Sequence, residues 1–309
     1  MILPENPTNE FLVHESAPEI IEHAPTIYIP KKNVIIDATL FTNVQSCARK
    51  TDFRHNHNLV HKRGKSVNLE MGSIAHKYLE IYYKSIIQGL SRAQAQGQAY
   101  IAAKEFCNDP TEVHNCTDED KVLALDTCEQ YLEFYKNDHW IPLAVEEVRK
   151  KLFYEDNEIR ILWKAKLDWV ADTNQGVYPI DHKTMKQRRD TRSLNNQFMG
   201  QCIVMNTRLM FVNKIGFQKT LKPEEKFTRA PINYTYDRLL EFQSEIVPYW
   251  CKIYLMYQES GYWPPNFVSC ENKWGFCEYY GVCEIDRIMR QETLEHDFEI
   301  GEPWDPSND

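Results

Sequence analysis

The sequence predicts a mixed α/β fold in which helices precede and follow a central sheet. Three patterns predict it: helical spacing over 68–88, 91–107 and 117–137; Val-, Ile- and aromatic-rich segments over 143–184; and a return to helical spacing over 236–258. In the first helix Leu69, Ile74, Leu79 and Tyr82 or Tyr83 supply the apolar pattern. The third opens with Thr117 as N-cap and Asp120 in its first turn. The segments 143–154, 158–172 and 176–184 are separated by Asn157 and by Asn174-Gln175-Gly176, which reads as a strand meander with short turns. A helix over 194–206, strands over 209–218 and 230–235, and the long helix over 236–258 complete the domain.

With 309 residues, 42% apolar and 12% aromatic, the chain can bury a substantial core. Boundaries are expected at 1–35, a proline-punctuated extended arm; 36–290, one domain; and 291–309, an acidic tail. Within the domain a helical part spans about 68–138, the sheet about 143–235, and a C-terminal helix with a cysteine segment 236–290. No stretch approaches the roughly 20 apolar residues that span a bilayer, and the first residues lack a basic then apolar leader. The expectation is a cytoplasmic protein with no membrane partner.

Net charge is 36 − 45 = −9, but it is unevenly spread. Arg49, Lys50, Arg54, Lys62, Arg63 and Lys65 are accompanied by one acid, Asp52, and a second basic run holds Lys186, Arg188 and Arg189. Both give local footing for a polyanion on an acidic protein. Among nine cysteines, Cys270, Cys277 and Cys283 stand out in a turn-rich stretch with Gly275 and Gly281, which reads as metal ligation rather than a disulfide frame.

The segment 162–186 carries the chemistry. Alternation along a strand sends Asp181 and Lys183 one way and His182 the other. A hairpin through 174–176 brings Asp168 beside Asp181. Two carboxylates with an ammonium at the rim make an oxygen site suited to Mg²⁺ or Mn²⁺, an arrangement that can serve phosphodiester hydrolysis.

In order along the chain these residues resemble the PD-(D/E)XK nuclease superfamily, in the RecB-like branch of CRISPR-adaptation nucleases and phage recombination exonucleases. LFTNVQSCARKTDFR is similar to the family's N-terminal segment, and MGSIAHKYLE to its glycine-x-x-x-histidine helix. The resemblance implies a restriction-endonuclease-like core, with His76, Asp168, Asp181 and the main-chain carbonyl of His182 as metal ligands and Lys183 as the catalytic lysine. NQFMGQ is similar to the Q-x-x-x-Y helix, with Gln197 in place and Gln201 where tyrosine is usual. Relatives with an iron–sulfur cluster place their ligands where Cys47, Cys270, Cys277 and Cys283 stand. This implies a [4Fe–4S] cluster, with structural Zn²⁺ the alternative for four thiolates. Glu278 follows the middle cysteine where proline is usual.

The function so implied is a Mg²⁺- or Mn²⁺-dependent DNA exonuclease acting at ends or on single strands, with both basic runs on phosphates. The alternative is a catalytically inactive DNA-binding scaffold of the same fold. HKRGKS lacks the upstream glycine of a phosphate-binding loop, Leu59 standing there, so no motor is encoded. The protein would then either act alone on DNA ends or work with a helicase, an annealing protein or an integration complex. HNHNLVH, with His55, His57 and His61, is expected to be a mobile, weakly basic loop. Glu146 and Glu147, on the strand before Asp168, give no ground for choosing between them.

Overall fold

The computed structural model describes residues 31–185, 193–272 and 275–303. Residues 1–30 of the arm, the basic run at 186–192 and the end of the acidic tail lie outside the described residues.

From the N-terminus come β1 (Lys32–Ile36), α1 (Ala38–Ser46), the short α2 (Ala48–Thr51), a π-helical turn over Asp52–Asn56 and β2 (Leu59–His61). Three helices follow: α3 (Val67–Ile87), α4 (Arg92–Asn108) and α5 (Asp118–Phe134). The meander is β3 (Ile141–Glu155), β4 (Ile159–Asp172) and β5 (Val177–Met185), after which come α6 (Asn196–Val204), β6 (Leu209–Gly216), α7 (Pro223–Lys226) and β7 (Phe227–Asn233). The helices α8 (Tyr236–Glu241) and α9 (Val247–Ser260) are joined by a second π-helical turn, Phe242–Ile246. The chain then forms β8 (Glu271–Asn272), β9 (Gly275–Phe276), α10 (Tyr280–Glu284), α11 (Arg290–Asp297) and β10 (Phe298–Ile300).

Local chemistry sets the helix starts. Asp37 caps α1 through the amide of Leu40, and Asn195 caps α6 through the amides of Gln197 and Phe198. Capping boxes at Ser91/Gln94 and Thr117/Asp120 open α4 and α5. Residues 32–35, placed in the arm by the sequence reading, belong to the sheet instead: the run KNVII pairs in parallel with Ile159–Trp163.

The sheet runs β1-β4-β5-β6-β7, with β3 also on β4. Because β3 pairs along nearly all of β4, β1 and β5 share the opposite edge, β1 at Ile159–Trp163 and β5 at Trp169–Asp172. The edge of β4 between them, residues 164–168, has neither strand beside it. A core of Ile36, Phe41, Trp163, Phe198 and Phe242 joins the sheet to α1, α6 and the α8–α9 helix. A second, with Met71, Tyr78, Ala99, Cys128 and Trp169, joins it to α3, α4 and α5. No described helix is long and apolar enough to cross a membrane.

Candidate active site

The break in the edge of β4 is where the polar residues gather. The Asn174 turn, with φ of 64°, closes the β4–β5 hairpin and pairs Trp169 with Ile180. Asp168 and Asp181 are next in register, and here side chains take over from the ladder. Oδ2 of Asp168 accepts the main-chain N–H of His182 at 2.8 Å. Burial, reinforced by the Asp181 carboxylate, pushes Asp168 up to about 6 despite the nearby His76.

Asp181 is fully buried and points with Lys183 toward α6. Gln197 links the two, accepting from Lys183 Nζ at 3.0 Å and donating to Asp181 Oδ1 at 2.8 Å. Lys183 Nζ lies 2.8 Å from the other oxygen, Oδ2, as an ion pair without hydrogen-bond alignment. Gln201 donates to Asp181 Oδ1 at 3.4 Å and to the carbonyl of Lys166 on the open edge of β4 at 3.3 Å. α6 lies this close because residue 200 is glycine: a Cβ there would meet the indole nitrogen of Trp163 at 2.3 Å.

His76 enters from α3 by a similar device. A Cβ on Gly72 would stand 2.8 Å from Thr184 Oγ1, so the glycine lets the helix seat against β5. One turn later His76 Nε2 is 3.1 Å from the carbonyl of His182, and Nδ1 is 3.7 Å from Asp168 Oδ2. The imidazole of His182 points away from Asp181 and lies beside the stacked rings of Tyr83 and Trp169, where burial holds it well below the usual histidine range.

Glu146, which the sequence could not separate from Glu147, joins this group. It sits in β3 between the pairs Val145–Trp169 and Glu147–Leu167, with left-handed backbone at φ of 53°. His76, Glu146 and Asp168 each present a ligand atom within 4.8 Å of the others. Glu146 also pairs with Lys166 at 2.7 Å, while Glu147 pairs with Arg149. Two carboxylates, an imidazole and a main-chain carbonyl are donors that fit Mg²⁺ or Mn²⁺. Asp181 stands outside the tight trio, beside it.

The profile of the PD-(D/E)XK nuclease superfamily matches residues 38–204, which span α1, the histidine helix, the hairpin and α6. The chain belongs to this superfamily. The mixed sheet flanked by helices is its nuclease fold. A comparison with curated proteins finds no matching sequence. Among solved structures the chain is similar to a candidate exonuclease from Eubacterium rectale, at 13% identity over 83% of this chain and 92% of that one, with a TM-score of 0.49. It is also similar to SSO0001, at 10% identity over 64% and 88%, with a TM-score of 0.28.

Cys47, inside the superfamily match, converges with Cys270, Cys277 and Cys283, which lie beyond it. Cys47, at the α1–α2 junction, lines a 410 Å³ pocket with Cys270, Cys277 and Cys283. The amide of Asn266 donates to Cys47 Sγ at 3.3 Å, and Arg49 Nη1 is 4.0 Å from Cys283 Sγ. Four thiols lining one pocket are a donor set that fits either an iron–sulfur cluster or a zinc ion.

The first basic run divides. Arg49 and Lys50 line the cysteine pocket, with Lys50 3.6 Å from Glu278. Lys62 caps α11, donating to the carbonyls of Glu295 and His296. Arg54 is half-buried; Arg63 and Lys65 are exposed. Lys186, Arg188 and Arg189 lie outside the described residues. HNHNLVH is not a loose loop: His55 is buried against Asn43 and pushed down to about 4 by burial and by Arg54 and Lys50, and His61 sits in β2 against Phe298. Tertiary packing has overridden its polar composition.

Proposed function

We propose that the protein is a metal-dependent deoxyribonuclease, an exonuclease acting on DNA ends or single strands in recombination, repair or DNA processing. One observation carries this reading: a cation-sized group of His76, Glu146 and Asp168 lies beside a lysine held by both Asp181 and Gln197. His76, Asp168, Asp181 and the carbonyl of His182 hold Mg²⁺ or Mn²⁺, with Glu146 added to the set. Such an ion neutralises phosphodiester charge and makes a bound water a stronger nucleophile. Gln197 fixes the Lys183 ammonium, which orients the attacking water, and holds one oxygen of Asp181 while the other faces that ammonium. Arg54, Arg63 and Lys65, together with Lys186, Arg188 and Arg189, contact backbone phosphates in a sequence-independent, salt-sensitive manner.

In the same reading Cys47, Cys270, Cys277 and Cys283 hold a [4Fe–4S] cluster of the kind found in phage-type relatives. It would join the two ends of the nuclease domain across more than 200 residues of chain. Protein purified without oxygen is then brown; colourless protein with stoichiometric zinc overturns the assignment.

The function is tested with end-labelled linear and circular DNA, single- and double-stranded, in Mn²⁺. Linear DNA is expected to be shortened from its ends and circles spared, with cleavage lost but binding kept in Asp181→Ala and Lys183→Ala. DNA binding without any cleavage by the unaltered protein would instead identify a scaffold.

A further inference from the structure

His182 lies at a point where β5 has lost its neighbour. Pairing with β4 ends at Ile180, and a residue's N–H and C=O point to the same edge of a strand. The His182 N–H is taken by the Asp168 carboxylate and its carbonyl faces the His76 ring, so no ladder bond from β4 fixes that peptide. Its side chain, by contrast, is held firmly. The register sets His182 beside Asn213 on β6, and Asn213 beside Arg229 on β7. Asn213 Nδ2 contacts His182 Nδ1 at 2.8 Å and donates to Tyr131 Oη at 2.7 Å. Arg229 donates to the same hydroxyl at 3.2 Å and pairs with Asp138. Having accepted twice, Tyr131 has its own proton to give to Tyr83, 3.1 Å away. The direction of every bond in the row is thereby set, and His182 Nδ1 is an acceptor.

This row does not serve stability well. His182 Nε2 and Asn213 Oδ1 are buried without hydrogen-bond partners among the described residues, and well-packed apolar side chains would cost less. We propose that His182 is a positioning residue: its imidazole, anchored through Asn213 to Tyr131 and Arg229, aims its own main-chain carbonyl at the cation held by His76 and Asp168. The proposal rests on the metal site read above.

The test is Mn²⁺ binding by calorimetry on the full chain with its cysteine-bound group in place, alongside thermal unfolding in chelator. Asn213→Leu removes the anchor at similar volume and is expected to weaken Mn²⁺ about tenfold or more. Tyr131→Phe, one step further out, is expected to weaken it about twofold to threefold. Phe227→Leu, which packs on Tyr131 outside the bonded row, lowers the unfolding temperature and leaves Mn²⁺ affinity unchanged. Wild-type affinity in Asn213→Leu overturns the proposal, as does an equal loss in Phe227→Leu. Should Asn213→Leu fail to fold, unchanged affinity in Tyr131→Phe overturns it. Asp168→Asn separates the two levels. If it binds Mn²⁺ like the wild type, the metal site itself is misread; if it loses Mn²⁺ while Asn213→Leu keeps it, only the role of His182 falls.

Discussion

Asp168 and Asp181 lie on strands packed between two large cores, whereas Cys270, Cys277 and Cys283 lie on a segment whose own core is Tyr279, Val282 and Phe298. The first region is held by burial and by hydrogen bonds within the protein, and the burial raises the cost of ionising Asp168. The second has a small apolar core, and on the reading proposed above it depends on a group held by its thiols. Emptying the two sites should therefore have opposite consequences for the fold.

The largest effect expected is on chemistry. Asp181→Ala or Lys183→Ala should reduce DNA cleavage by about a thousandfold or more, with the circular dichroism spectrum unchanged. An active Lys183→Ala would break the assignment of that ammonium. Next, Cys277→Ser with Cys283→Ser should raise hydrogen exchange over 264–300 by about two orders of magnitude while β4 and β5 amides stay protected. Equal loosening of both regions would dissolve the contrast.

Sharpening it requires pH. Asp168 binds its proton more tightly folded (about 6) than unfolded (3.8). Its contribution to stability is therefore complete below pH 3.8 and is lost as pH rises through 6. In chelator, Asp168→Asn should melt above the wild type by roughly 5 °C at pH 7.5, the gap shrinking toward zero below pH 4. A variant less stable than wild type at pH 7.5 would contradict the burial cost. The smallest effect is steric: Gly72→Ala, pressed on Thr184 Oγ1, should cost about 1–2 kcal/mol, and Thr184→Ala in the same chain should restore most of it. Denaturant titration of the double-mutant cycle measures the recovery.

The elements were legible because their signals are local. Thr117 and Asp120 cap the helix they were expected to cap, and Asn174-Gln175-Gly176 makes the turn that aligns the two aspartates. Gly72 and His76 read together for a physical reason: the glycine seats the helix that carries the imidazole. Glu146 was hidden because its left-handed backbone breaks the strand alternation that would have told it from Glu147. The partners of Lys62 could not be read from spacing, because the carbonyls it bonds belong to residues 233 and 234 positions away. His55 is buried by Asn43, a partner that no spacing rule predicts.

β10 pairs with β2, and its first residue, Phe298, stacks on Tyr279, whose hydroxyl donates to the carbonyl of Leu59. The final dozen described residues thus act as a drawstring on the thiol pocket. Trimming the chain before Phe298, by a protease or a premature stop codon, would be felt first as a loosened thiol pocket and, on the reading proposed above, as leakage of the group bound there, before any loss of the hairpin that carries the two aspartates.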